Sequence, residues 1–526
     1  MKNKKILFIA LLAAGFTACE PEFEHEVSNV DYNAGEADFT TYVAVGNSLT
    51  AGYMDGTVSR VGQSYSYPNL LAQQFAVVGG GAFTQPSYAE DANNLGGISG
   101  IPGFPTRLVI NMHADNPKIP AGPESIAGTS TITLAPQQQA FNNMGVPGAK
   151  SFHLLLPGYG DAARLSLGAA NPYYVRMATS ASATVLGDAM SKRPTFFTNW
   201  IGSNDVLSYA TSGGTGVDQT GNPNPATYGS NDITDPTYFA GVYTAIINTL
   251  TSEGAKGVVS TIPDITSIPF FTTVPYAPLT ASAIGKEDEA VGLATIDQLN
   301  AQLYGPLKQI FTALGQPNRI NLLSKTTPNP LLIKDETLTN YGAQITAAFT
   351  PALGAAGAAY AGSILGQARQ ATADDLVLLT TRAVIGKEPT GAPAPFDAYG
   401  VTYPLQDQHI LIPSEITAVN TATASYNTAI KTIAASKNLA VADMNAIMNK
   451  LKTGFTSDDG QVYFAKYFSV ATVNTVVFSL DGVHPNARGY ALVANEILKV
   501  INEHYKAKLP LIVPGYYPGP TIVKTN

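Results

Sequence analysis

Ser48 stands in "YVAVGNSLTAGY", residues 42–53, directly behind a short apolar run and a glycine. A serine just past a strand end can cap a helix, form a turn or act as a nucleophile. As a nucleophile it needs a base, because a free hydroxyl attacks weakly at neutral pH. The chain offers six histidines. His25 falls in an acidic N-terminal stretch and His504 late in a C-terminal helix, while His113, His153 and His409 lack an acidic partner at a useful spacing. His484 has one: in "SLDGVHPN" Asp481 precedes it by three residues, near enough to accept a hydrogen bond from the imidazole. That bond fixes the tautomer and leaves the other ring nitrogen to take the serine proton. Acyl transfer also requires donors set in place for an oxyanion. Gly148 in "NNMGVPGAKS" offers a backbone N–H open to close approach, and Asn204 in "WIGSNDVL" a side-chain amide just past a strand. Taken singly, each position has a plainer reading: Pro147-Gly148 as a turn, residues 202–205 as a helix cap, Asp481 as a cap beside a surface histidine.

Together, and in this order along the chain, "GNSLTAG", "GVPGA", "GSND" and "DGVHPN" resemble the four motif blocks of the SGNH, or GDSL-type, esterase and lipase family. The resemblance implies a catalytic triad of Ser48, His484 and Asp481. It implies an oxyanion hole made by the backbone N–H groups of Ser48 and Gly148 and the Asn204 side chain, with no metal and no cofactor. It also implies an α/β fold of three layers, α/β/α, with a mostly parallel central sheet, and an ester substrate: a lipid, a short acyl ester or an acetylated glycan. Asn47 stands where the family carries an aspartate, a position that supports loop geometry and lies outside the proton path. Carbohydrate O-acetyl ester cleavage is the alternative within this fold. From another class comes a non-catalytic surface lipoprotein that holds glycan or lipid.

Other chemistries fit less well. "GVPGAKS" has alanine where a phosphate-binding loop needs glycine before its lysine, and no strand clearly precedes it. No two histidines have zinc-ligand spacing, and "VGGGAF" at 78–83 lacks the full dinucleotide fingerprint.

The motifs need elements to carry them. Strands are expected at Thr41–Val45, in "PTFFTNWIG" ending at Gly202, and in "GVVSTIPD" at 257–264. Before the last of these, a helix opens at Asp235-Pro236, shows Phe239, Val242, Ile246 and Leu250 on one face, and stops at Gly254. "TVVFSLDGVHPNARGYALVANEILKVINEHY" reads as strand, loop and helix, with Ala491, Ala494, Leu498, Ile501 and Tyr505 as a buried stripe. Residues 80–140 and 210–232, rich in Gly, Pro, Asn and Ser, read as loops. The hydrolase-like domain is expected over 39–280 and 401–512, interrupted by a largely helical insertion or lid at 281–400 and followed by a tail at 513–526. Within the insertion, the Ala- and Gly-rich stretch 344–366 reads as closely packed small-residue helices, or as a mobile cover over a site.

The whole chain, 526 residues with a formal charge of −8, has the length for one large core with an inserted unit. Its acidity argues against nucleic acid as a partner. Residues 1–18 read as a signal peptide: Lys2, Lys4 and Lys5, then an apolar run too short to span a bilayer. Cys19 is the single cysteine, and "FTAC" resembles a lipobox, which implies lipidation at Cys19. The acidic stretch 19–38 reads as a flexible tether whose Glu20, Glu22, Glu24 and Glu26 resemble the export signal of Bacteroidota-type lipoproteins. The expected address is the bacterial outer membrane, through an N-terminal lipid anchor, facing either the periplasm or the cell surface.

Overall fold

The computed structural model describes residues 31–116, 118–469 and 471–526. The signal peptide, Cys19 and the tether as far as residue 30 lie outside the described residues.

Five strands form the central sheet: β1 (Tyr42–Gly46), β2 (Asn143–Gly145), β3 (Phe196–Trp200), β4 (Lys256–Ser260) and β5 (Ala440–Ala442). They lie in the order β5-β4-β3-β1-β2, and every neighbouring pair is parallel. Parallel strands need crossovers, and helices supply them here. The helices that matter below are α1 (Ser48–Ala51), α2 (Tyr67–Ala76), α3 (Val185–Ser191), α4 (Asn204–Thr211), α5 (Pro236–Leu250), α6 (Gly342–Leu365), α7 (Pro413–Ser436) and α8 (Ala487–His504).

Alternation along the strands divides the core. Val43, Val45, Phe197 and Val259 point to one face, where α3, α5 and α7 bury Leu186, Phe239, Ile246, Tyr426 and Ile430. Tyr42, Ala44, Phe196 and Val258 point to the other, against Leu71 and Phe75 of α2 and the Ala491, Ala494, Leu498, Ile501 stripe of α8. The sheet is therefore covered by helices on both sides, an α/β fold with a wholly parallel central sheet. α5 forms as its sequence signals require: Asp235 caps Tyr238 N–H at 2.6 Å, proline opens the first turn, and Phe239 stacks on Tyr426 with ring centroids 4.2 Å apart.

The structure departs from expectation at several places. A strand does precede "GVPGA", namely β2. It is only three residues long, and the asparagines at its start are spent on fixing neighbours: Asn142, just before it, donates to the Tyr42 carbonyl, and Asn143 to the Thr50 carbonyl. "TVVF" at 475–478, by contrast, joins no ladder among the described residues and makes isolated bridges. Its carbonyls at Val476 and Phe478 accept from the Asn486 side chain, which replaces strand pairing. The loop-rich stretch 80–140 contributes an antiparallel pair, Leu108–Asn111 with Gly122–Ser125, and the tail at Ile522–Val523 adds a third, parallel strand. The third expected strand stops at Ser260, so 261–264 is already loop.

The inserted segment contains four α-helices but also short antiparallel pairs, Leu332–Lys334 with Ala368–Gln370 and Leu376–Val377 with Ile410–Leu411. Its second apolar cluster runs from Val274 to Ile412, wider than 281–400. The Ala- and Gly-rich stretch is one helix, α6, broken at Gly354 (φ 67°, ψ 173°). The bend folds its two ends together, and the absence of side chains at Gly342 and Gly362 permits the contact: a Cβ on Gly362 would lie 2.4 Å from the Gly342 carbonyl oxygen.

Candidate active site

β1 ends on Gly46 because nothing larger fits: a Cβ there would lie 2.1 Å from the Thr50 hydroxyl and 2.5 Å from the Trp200 carbonyl. The chain then turns into α1, a single helical turn. Asn47 caps it, accepting from Leu49 N–H at 3.0 Å, and Gly52 closes it at φ 79°. A carboxylate could accept the same bond, so asparagine meets the geometric need at position 47. Its Nδ2, however, is buried without a partner among the described residues. Ser48 is the first residue of the turn and is 6% exposed. Its own N–H has no acceptor within the helix.

Ser48 Oγ lies 2.8 Å from His484 Nε2, and His484 Nδ1 lies 2.9 Å from Asp481 Oδ2. Ser48 and His484 are 436 residues apart in sequence. The His484 and Asp481 side chains are each 14% exposed, so the relay is largely buried but still reached by solvent. Burial by itself would raise the Asp481 carboxyl, but His484 beside it and the N–H groups of His484 and Val483, both at 2.9 Å, hold it below the ordinary carboxylate range. Gly56 N–H adds a fourth bond at 3.2 Å. An ionised Asp481 accepts only, so Nδ1 carries the proton and Nε2 presents its lone pair to Ser48.

Gly148 follows β2 at φ 81°, a left-handed conformation that a side chain strains. Space alone does not demand glycine, since a Cβ would meet only Asn171 Nδ2 at 3.8 Å. Asn171 donates to the Pro147 carbonyl at 2.8 Å and so holds the turn. Asn204 opens α4, 7% exposed, and its Nδ2 donates to the Ala149 carbonyl at 2.9 Å, which ties it to the Gly148 loop. The amide's second N–H is free of that bond. The strand ends thus bring Ser48, Gly148 and Asn204 to one end of the sheet, with Asp481 and His484 closing over from the loop before α8.

Several supporting residues escaped the sequence reading. Tyr53, at the end of the opening stretch, lays its ring 4.5 Å from the His484 imidazole. Burial and the nearby Asp481 charge push its phenol well above the usual range, so it stays neutral. Asp55, at φ 55°, donates its N–H to Ser479 Oγ and accepts from Leu480 N–H, both at 3.0 Å. It stitches the Ser48 segment to the segment carrying Asp481. Asp205, beside Asn204 in "GSND", accepts from both the N–H and the hydroxyl of Ser151, at 2.8 and 2.7 Å, and anchors the loop downstream of Gly148. The only signal for these residues was their closeness to motif positions. His153 is not a second base: burial, with Lys150 nearby, pushes it down to about 4, and its Nδ1 accepts from Lys150 N–H.

No protein-family model and no curated protein matches this chain.

Proposed function

We propose that this protein is a serine hydrolase of carboxylic esters, of the SGNH or GDSL type, acting through an acyl-enzyme. The observation that carries the proposal is the unbroken relay Ser48–His484–Asp481 at 2.8 and 2.9 Å. Ser48 Oγ attacks the ester carbonyl while its proton passes to His484 Nε2, and Asp481 stabilises the imidazolium that forms. Charge gathers on the carbonyl oxygen, where the Ser48 and Gly148 N–H groups and the free N–H of Asn204 receive it. His484 then gives the proton to the departing alcohol oxygen as the ester C–O bond breaks. Water, deprotonated by the same nitrogen, attacks the acyl-enzyme and releases the acid and Ser48. The proposal extends to the address: lipidation at Cys19 and attachment to the bacterial outer membrane.

The test is ester hydrolysis across acyl chains from acetyl to long-chain, with acetylated glycans included. Turnover of at least one class is expected, reduced about 10⁶-fold in Ser48→Ala. Asn204→Ala should cost about 10²–10³-fold in kcat, the usual consequence of losing one oxyanion donor. Turnover that persists unchanged in Ser48→Ala would overturn the assignment.

A further inference from the structure

The inserted unit contains a cavity of about 1460 Å³, distinct from the triad. That exceeds the ~300–1,000 Å³ common for small-ligand sites. Leu279, Leu303, Phe349 and Phe396 are among the residues lining it, all buried, and they come from both apolar clusters of the insertion. Gln298 and Gln302, two of its polar side chains, are exposed at the rim. Against the buried apolar walls an aliphatic chain loses only its contact with water, while the polar groups lie at the exposed side. At ~30 Å³ for each water-sized group the space holds about 50 such groups, more than a chain of eighteen carbons and its head group needs.

Two further observations specify the occupant. The charged residues at the cavity are Lys286, Arg382 and Asp397, all exposed; neither cation forms an ion pair among the described residues. Cations outnumber the carboxylate, which favours an anionic head. The way in is apolar as well. α6 has 24 residues without a single charge, and Ala348 and Ala352, exposed on it, line the cavity beside buried Phe349. Broken at Gly354, it forms two apolar arms whose residues around the break are largely exposed, so an apolar surface borders the mouth.

We propose that this cavity binds a long-chain anionic amphiphile, a free fatty acid or an anionic lysolipid, with the chain inside and the head at Lys286 and Arg382. The site stands without the hydrolase reading, although the two are neighbours. Leu379, in the same 379–383 turn as Arg382, packs against Gly482, and Phe270 N–H donates to the Gly482 carbonyl between Asp481 and His484.

Titration calorimetry on the full chain carrying Ser48→Ala, which removes the proposed nucleophile, tests this with saturated fatty acids of graded length, an anionic lysophospholipid and the matching fatty alcohol. Affinity should rise about fourfold per methylene until the cavity is full. Ala352→Trp, at an exposed position that leaves the core intact, should lower affinity at least tenfold with unchanged thermal unfolding, and Ala348→Trp should do the same. Lys286→Ala with Arg382→Ala should weaken the acid and not the alcohol. Whichever of the acid and the lysolipid binds more tightly names the source. No binding, affinity independent of chain length, or full affinity in both tryptophan variants would overturn the proposal, and none of these outcomes bears on turnover at Ser48.

Discussion

Asp55 shows how much of the candidate site depends on a carboxyl outside the Ser48–His484–Asp481 relay. Burial raises it from 3.8 to about 7; the Leu480 N–H lowers it, the Asp481 charge raises it further, and Arg107 lowers it. Below pH 4 the group is protonated in both folded and unfolded chains, and its contribution to stability is complete. Between about 4 and 7 the unfolded chain ionises first, so stability falls as pH rises and the loss is complete above 7. Asp481 has the opposite sign. Its lowered value adds stability above 3.8 that disappears as pH falls through the folded-state value. Asp55→Asn retains the oxygen that accepts from Leu480 and removes the titration. Thermal melts from pH 4 to 8 should show the variant gaining on the parent as pH rises, by up to a few kcal/mol at about 1.4 kcal/mol per pH unit. A difference that is flat in pH would mean that Asp55 is ionised throughout.

At the scale of elements, Asn486 takes the place of a strand. Its Oδ1 caps α8 at Gly489 N–H, 2.9 Å away, while its Nδ2 serves the Val476 and Phe478 carbonyls. The loop that presents His484 is thereby pinned from both sides. Asn486→Ala loses the cap and its bonds to both carbonyls, leaving Val476 only the 3.4 Å bond from Arg488, and should cost about 2–4 kcal/mol in denaturant unfolding. Asn486→Asp keeps the cap alone and should fall between the two. Equal stability of all three would show that the loop holds itself. This substitution of side chain for ladder explains why "TVVF" looks like a strand and is not one: β-branched residues report burial and an extended backbone, not pairing. β2 fails in the other direction, because Asn143, Met144 and Gly145 carry no apolar alternation. β5, three residues behind the long α7, is too short to announce itself. β1, β3 and α5 were legible because their apolar runs, proline and cap all agree.

On the scale of the whole molecule, the legible part was the set of motifs, and the illegible part was what holds them. Ser48, Gly148, Asn204, Asp481 and His484 could be nominated because each sits in a short distinctive phrase. Tyr53 and Asp55 could not, since their partners lie more than 400 residues away and only folding reveals them. The inserted unit is visible in sequence as helical and apolar, but its cavity arises from two clusters meeting, which no periodicity encodes. The proposed function requires Ser48 to be a nucleophile activated by His484. A fluorophosphonate probe followed by peptide mass spectrometry tests it without knowledge of the substrate. The expected result is one adduct on the peptide containing Ser48, absent in Ser48→Ala and formed far more slowly in His484→Ala. Folded protein that takes up no probe, or that is labelled equally in Ser48→Ala, would contradict it.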